Sequence, residues 1–134
     1  MGPSLILETT FLVDLEREAT ASGPGPAIDF LERHHDARLH ITFTVVGEIA
    51  AGASLSDRAR WEAFVAPFNV LDCNRDVCWE YSQAYRYLSD NGLMIGANDL
   101  WIAATARAYR LPLVTRNEKH FRRVPQLELL PYRG

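Results

Sequence analysis

Apolar-rich runs recur along the chain at Leu5 to Leu7, Leu39 to Phe43, Phe68 to Leu71, Leu113 to Val114 and Leu127 to Leu130, each bounded by charged or turn-forming residues. Runs this short, with that punctuation, predict β-strands. Between them, apolar positions recur at helical spacing over Phe11 to Thr20, Ala27 to His34, Val45 to Ala53, Arg58 to Val65, Arg75 to Leu88 and Asp99 to Tyr109. Strands alternating with helices predict an α/β fold, with helices on both faces of a mostly parallel sheet of four to five strands. The helix from Asp99 contains Ala103, Ala104, Ala106 and Ala108, which favour helix formation and let its backbone approach the sheet closely. The stretch "SGPGP", Ser22 to Pro26, breaks two helical patterns and reads as a loop inside one domain. The segment Ser89 to Ala97 must reposition the chain before the alanine-rich helix.

Length agrees with that picture: 134 residues, 48% of them hydrophobic, suit a single domain over 1–134. No apolar stretch approaches a membrane span and the first residues lack a secretory pattern, so a cytoplasmic location is the default expectation. Cys73 and Cys78 are too few for a disulfide framework and have no companions at zinc-site spacing; they read as reduced packing residues. A formal charge of -3 argues mildly against strong nonspecific nucleic-acid binding. Its distribution qualifies that: Arg107, Arg110, Arg116, Lys119, Arg122 and Arg123 crowd a C-terminal region whose single acid is Glu118, while acids gather near Asp14, Glu16 and Glu18. For a basic run in isolation, a solvated face is the simplest account.

Candidate chemistry follows from a topological rule. In a parallel α/β sheet, ligands bind outside the C-terminal strand ends where the strand order reverses. Glu8 ends the first strand, Glu48 lies early in the helix after the second, Asp99 opens the alanine-rich helix, and Asn117 follows "LPLVT" directly, so all four can meet at one edge. Each also has an ordinary explanation. Glu8 can end its strand in solvent. Asp99 in a first helical turn gains about 0.3–1 kcal/mol from the helix dipole, with Asn98 before it as N-cap. Asn117 can cap a short helix through "NEKHF". Glu48 flanks the apolar stripe of Val45, Val46, Ile49 and Ala50, where a charge needs a partner. Three carboxylates at one site would raise one another's pKa unless a cation neutralised them, and oxygen donors without Cys or His suit magnesium or manganese. Trp101 points about 200° around its helix from Asp99, at ~100° per residue, so it reads as core or interface. Trp61, Trp79, Tyr81 and Tyr85 likewise read as packing residues, against the helices themselves or a partner chain. His34, His35, His40 and His120 show no metal-ligand spacing and carry no assigned role.

With "LILETTFLVDLERE", "ITFTVVGEIAAG" and "IGANDLWIAATARAYRLPLVTRNEKHFRRVPQLELLPY" in that order, the chain resembles PIN-domain ribonucleases, most closely VapC-type toxins of bacterial toxin–antitoxin pairs. The resemblance runs nearly end to end and its last motif is the most specific. It implies an α/β/α sandwich, a metal-dependent endoribonuclease with one or two Mg2+ or Mn2+ ions, an RNA substrate, a cognate antitoxin and homodimers. It places Glu8, Glu48, Asp99 and Asn117 in the catalytic set, with Glu8 and Asp99 as metal ligands. Thr9, Thr10 and Thr115 then occupy small-hydroxyl positions around the set, and Arg116, Lys119, Arg122 and Arg123 become candidates for guiding the RNA backbone. Asn117 stands where many members have aspartate, so a second metal should bind more weakly here.

The family pattern has aspartate where this chain has Glu8. One methylene moves the carboxylate by roughly 1–1.5 Å, against magnesium's near-ideal octahedral ligands at about 2.0–2.1 Å. A tolerant natural variant, a weakened homologue and an engineered disarming substitution all fit that change. Two alternatives of other classes stand beside the nuclease: a catalytically silent PIN-like module binding RNA or antitoxin, and a receiver-type phosphoryl-transfer domain. The second would need Lys119 after a late strand and a phospho-acceptor near Asp72.

Overall fold

The computed structural model describes residues 2 to 133, so both ends of the expected 1–134 domain lie just outside the described residues. Five strands, β1 (Ser4–Leu7), β2 (Arg38–Thr42), β3 (Asn69–Leu71), β4 (Leu113–Val114) and β5 (Leu129–Leu130), form one parallel sheet in the order β3-β2-β1-β4-β5. Among the described residues, seven α-helices flank it: α1 (Thr9–Arg17), α2 (Pro26–Arg33), α3 (Phe43–Ala51), α4 (Arg58–Val65), α5 (Arg75–Asp90), α6 (Ala97–Tyr109) and α7 (Glu118–Phe121). All five predicted strands and all six predicted helices are present, with α4 at the expected bounds. A mostly parallel sheet was expected; every pairing here is parallel.

The central strand explains the order. Leu5, Ile6 and Leu7 are all buried, the mark of a strand covered on both faces, and each buried side chain contributes about 1.5–3 kcal/mol. On one side β1 pairs with β2, and on the other with β4. From α6 the core takes Leu100, Ile102, Ala103 and Ala106, so alanine's small volume is used where the helix lies against α5 and α3. The first helix departs from its predicted range: it begins at Thr9 and, after Arg17, widens into a π-turn over Glu18–Ser22. The buried Glu18 carboxylate then accepts the backbone N–H groups of Gly25, Ala27 and Ile28, closing the "SGPGP" loop onto the start of α2. A Cβ at Gly25 would stand 3.0 Å from that carboxylate, a tight approach to a group already held by three backbone N–H donors.

Several sequence expectations are corrected. Cys73 and Cys78 are exposed rather than packed, with their sulfurs 3.9 Å apart. Arg107 is not on a solvated face: its side chain is 9% exposed and pairs with Glu80 at 2.9 Å across the α5–α6 interface. Trp79 and Tyr85 are exposed on α5, which leaves packing against a partner chain open for them; Tyr85 also stacks on Tyr81, and Tyr81 on Trp101 at 3.9 Å between ring centroids. Among the described residues, no helix is long and apolar enough to cross a membrane.

Candidate active site

The sheet order reverses beside β1: the chain passes outward through β2 and β3, then returns to place β4 on the other flank. The crevice outside the C-terminal ends of β1 and β4 is therefore the expected ligand site. Glu8 stands there as the residue between β1 and α1, its backbone N–H still bonded to the Val114 carbonyl at 3.0 Å. Its side chain does not cap α1. Instead its Oε1 accepts hydroxyls from Thr10 at 2.6 Å and Thr115 at 2.5 Å, and the residue is 3% exposed.

Glu48 arrives from α3, which starts directly after β2 with the Thr42 hydroxyl accepting the Val45 N–H. Thr9 donates its hydroxyl to Glu48 Oε1 at 2.6 Å, and Asn98 donates its amide to Oε2 at 3.3 Å. That second bond corrects the sequence reading of Asn98 as an N-cap: α6 begins one residue before Asn98, with Gly96 at the cap, and the Asn98 side chain is used across the site. Asp99 lies in the first turn of α6 with His120 Nδ1 3.8 Å from its Oδ2. Asn117 precedes α7 but makes no side-chain cap; its amide nitrogen lies 3.1 Å from His120 Nδ1. The Thr115 hydroxyl accepts the Asn117 N–H, so the loop after β4 is tied to the same hydroxyl that bonds Glu8.

The electrostatics follow from this crowding. Burial pushes the Glu8 carboxyl above the ordinary range, and the charge of Asp99 adds to the rise, while the Thr10 and Thr115 hydroxyls and the Thr10 N–H pull it back. Asp99 is also raised, first by burial and then by Glu48, with His120 opposing. Glu8, Asp99 and Glu48 thus form an electrostatically connected series. Among the described residues no three His, Cys, Asp or Glu side chains stand close enough together to enclose a metal ion as they are placed. The donor type nevertheless fits a hard divalent cation: carboxylates that raise one another's pKa, an amide carbonyl at Asn117, and no thiolate.

Sequence reasoning passed over His120 for want of metal spacing; the signal available was its position three residues after Asn117, on one face of a short helix. Of the proposed RNA guides, Lys119 and Arg122 are exposed, Arg122 within 3.8 Å of Glu118. Arg123 donates to the Met94 carbonyl at 3.2 Å. Arg116 is tethered rather than free, its guanidinium 2.9 Å from the buried carboxylate of Asp14.

A five-stranded parallel α/β domain with acids at its switch point is the setting, and the PIN domain model matches residues 5–127 of it. The chain belongs to the PIN-domain family. Within that family it is similar to Ribonuclease VapC of Rickettsia bellii, 38% identical over 134 residues and 94% of each chain. Among solved structures, VapBC2 of Rickettsia felis bound to a promoter DNA fragment superposes with a TM-score of 0.84 at 27% identity, covering 97% of this chain and 99% of that one. VapBC-1 of nontypeable Haemophilus influenzae gives 0.82 at 27% identity over 96% and 98%. The receiver-type alternative falls with this family membership.

Proposed function

We propose that this chain is the endoribonuclease toxin of a type II toxin–antitoxin pair, hydrolysing RNA phosphodiester bonds with Mg2+ or Mn2+ and held in check by a cognate antitoxin. One observation carries the reading: Glu8, Glu48 and Asp99, from three separate segments, form the connected acidic series at the switch point of a chain that aligns with a VapC ribonuclease over 94% of its length. The similar solved structures are VapBC complexes, which supports a protein antitoxin as partner. A homodimer belongs to the same reading.

Glu8 and Asp99 would hold the cation, with Glu48 completing its shell or holding the water and the Asn117 carbonyl as an uncharged donor. A bound cation would supply two things here, a lowered pKa of coordinated water so that hydroxide is available at neutral pH and an offset to charge on the scissile phosphate. Thr9 fixes one oxygen of Glu48 and Asn98 the other, so this carboxylate is oriented before substrate arrives. Thr10 and Thr115 do the same for Glu8. His120, 3.8 Å from Asp99 and 3.1 Å from the Asn117 amide nitrogen, can steady the loop carrying Asn117 beside the acids. Lys119 and Arg122 face solvent nearby and suit contacts to the RNA backbone.

The test is cleavage of total bacterial RNA by the purified chain with Mn2+ or Mg2+, beside Asp99→Ala, Glu8→Asp and an EDTA control. Metal-dependent cutting that Asp99→Ala abolishes supports the reading. If neither this chain nor Glu8→Asp cuts, a silent RNA- or antitoxin-binding module takes its place; if only Glu8→Asp cuts, Glu8 disarms the toxin.

A further inference from the structure

Six residues after Glu8, the helix that follows it carries a second buried carboxylate with the opposite surroundings. Asp14 is 1% exposed in its side chain, and three arginines reach it: Arg116 Nη1 at 2.9 Å and Arg17 Nη2 at 3.2 Å on Oδ1, and Arg133 Nη2 at 3.3 Å on Oδ2. The Tyr132 hydroxyl donates to Oδ2 at 2.6 Å. A carboxylate offers about four lone-pair sites, so these four donors saturate it.

The guanidiniums are not saturated. Each has five N–H donors in a planar fork suited to phosphate, and their side chains remain 38–48% exposed. Among the described residues, the ion pairs of these three arginines converge on one carboxylate, three cations against one anion. The cluster is continuous with the candidate site: the Arg116 N–H donates to Thr10 Oγ1 at 3.0 Å, and Thr10 donates to Glu8 Oε1. Long arginines anchored on a buried carboxylate have already lost much of their rotamer freedom, so a ligand meets a pre-set array of donors.

We propose that Arg17, Arg116 and Arg133, gathered by the buried carboxylate of Asp14, form a binding site for a backbone phosphate of the RNA beside the point of cleavage. The proposal rests on the ribonuclease reading and extends it, by assigning Arg17 and Arg133 to substrate binding and Asp14 to positioning. Arg116 serves as the link, since it belongs to both the arginine cluster and the loop that carries Thr115 and Asn117.

The test is binding of a fluorescent, non-cleavable 2′-O-methyl RNA to the full chain by anisotropy across a salt series, with Arg17→Gln, Arg133→Gln, their double variant and the matching lysine variants. Thermal melts check folding, and total-RNA cleavage by the unaltered chain runs in parallel. Removing one phosphate-binding arginine should flatten the slope of log K against log salt by about 0.7, with affinity falling evenly across sequences. The lysine variants should keep the slope while weakening binding, because they keep charge and lose the fork. An unchanged slope in the folded double variant, while the unaltered chain binds and cuts RNA, overturns this site and leaves the nuclease reading intact. Failure of the unaltered chain both to bind and to cut RNA removes the reading and this site with it. If the glutamine variants lose a polyglutamate peptide but not RNA, the occupant is an acidic protein segment and the proposal is wrong.

Discussion

Two clusters of charge lie along α1 and are built in opposite senses. At its start, Glu8 and Glu48 are bonded to hydroxyls and an amide, and Asp99 stands with His120 Nδ1 3.8 Å from its Oδ2. Further along, Asp14 is shared by three arginines and a tyrosine hydroxyl. Burial alone therefore does not decide what a carboxylate does. With a surplus of cations around it, Asp14 organises the protein; in a surplus of anions, Glu8 and Asp99 carry pKa values raised by burial and by neighbouring carboxylates. Under the proposed function, a phosphodiester with its metal ion would engage both clusters, the ion at the acids and a phosphate at the arginines.

The contrast is broken most directly at Asp14. Asp14→Ala leaves three guanidiniums facing one another and the Tyr132 hydroxyl without its acceptor, which should cost about 3 kcal/mol, at the low end for a broken buried pair because the arginines are half in solvent. Urea denaturation measures it; a loss below about 1 kcal/mol would show that the arginines hold the C-terminal segment without Asp14. The converse holds at Asp99. Asp99→Asn should lower RNA cleavage at least about a hundredfold yet leave the metal-free melting temperature equal or higher, since it removes a charge that burial and Glu48 disfavour. A fall in both would place Asp99 with Asp14 as a structural acid.

A finer cut separates the threonine-bound oxygen of Glu8 from the length of the side chain carrying it. Glu8→Asp retracts the carboxylate by one methylene from Thr10 and Thr115 toward the position that aspartate occupies in the family pattern. Cleavage should rise about tenfold, given that misplacement near 1 Å in a catalytic site can cost about a hundredfold. An unchanged rate would mean that Glu8 already reaches a productive position.

How much of this was legible in the chain depends on the range of the interaction. Local patterns carried the fold: Leu5 to Leu7 read as a strand, and Arg58 to Val65 as a helix, because apolar spacing and the residues that punctuate it lie within a few positions. The acidic series was reachable because topology, rather than contact, brings Glu8, Glu48 and Asp99 to one edge. What stayed hidden depended on distant partners. Asn98 looked like a cap until Glu48, fifty residues away, claimed its amide. Arg116 looked like a free guide, since nothing in "VTRNEKH" points to Asp14 a hundred and two residues earlier. His120 was passed over because its relation to Asp99 is spatial.

The smallest expected effect concerns pH and metal-free stability, where the sign separates the clusters. Glu8 and Asp99 have folded-state pKa values above their ordinary values of 4.5 and 3.8, so between those values and the raised ones the native state binds more protons than the unfolded chain. Stability contributed by these groups is then greatest in acid, declines as pH rises through that window, and levels off above the raised pKa values. The double variant Glu8→Gln and Asp99→Asn lacks this penalty, so its melting temperature relative to the unaltered chain should climb from acid to neutral pH in EDTA. Saturating Mn2+ should reverse the order by binding the native unaltered chain, at about 2.7 kcal/mol for a hundredfold excess over Kd. A difference that is flat with pH and indifferent to Mn2+ would show that the acids at the switch point are held as securely as Asp14, and the contrast between the two clusters would lose its physical basis.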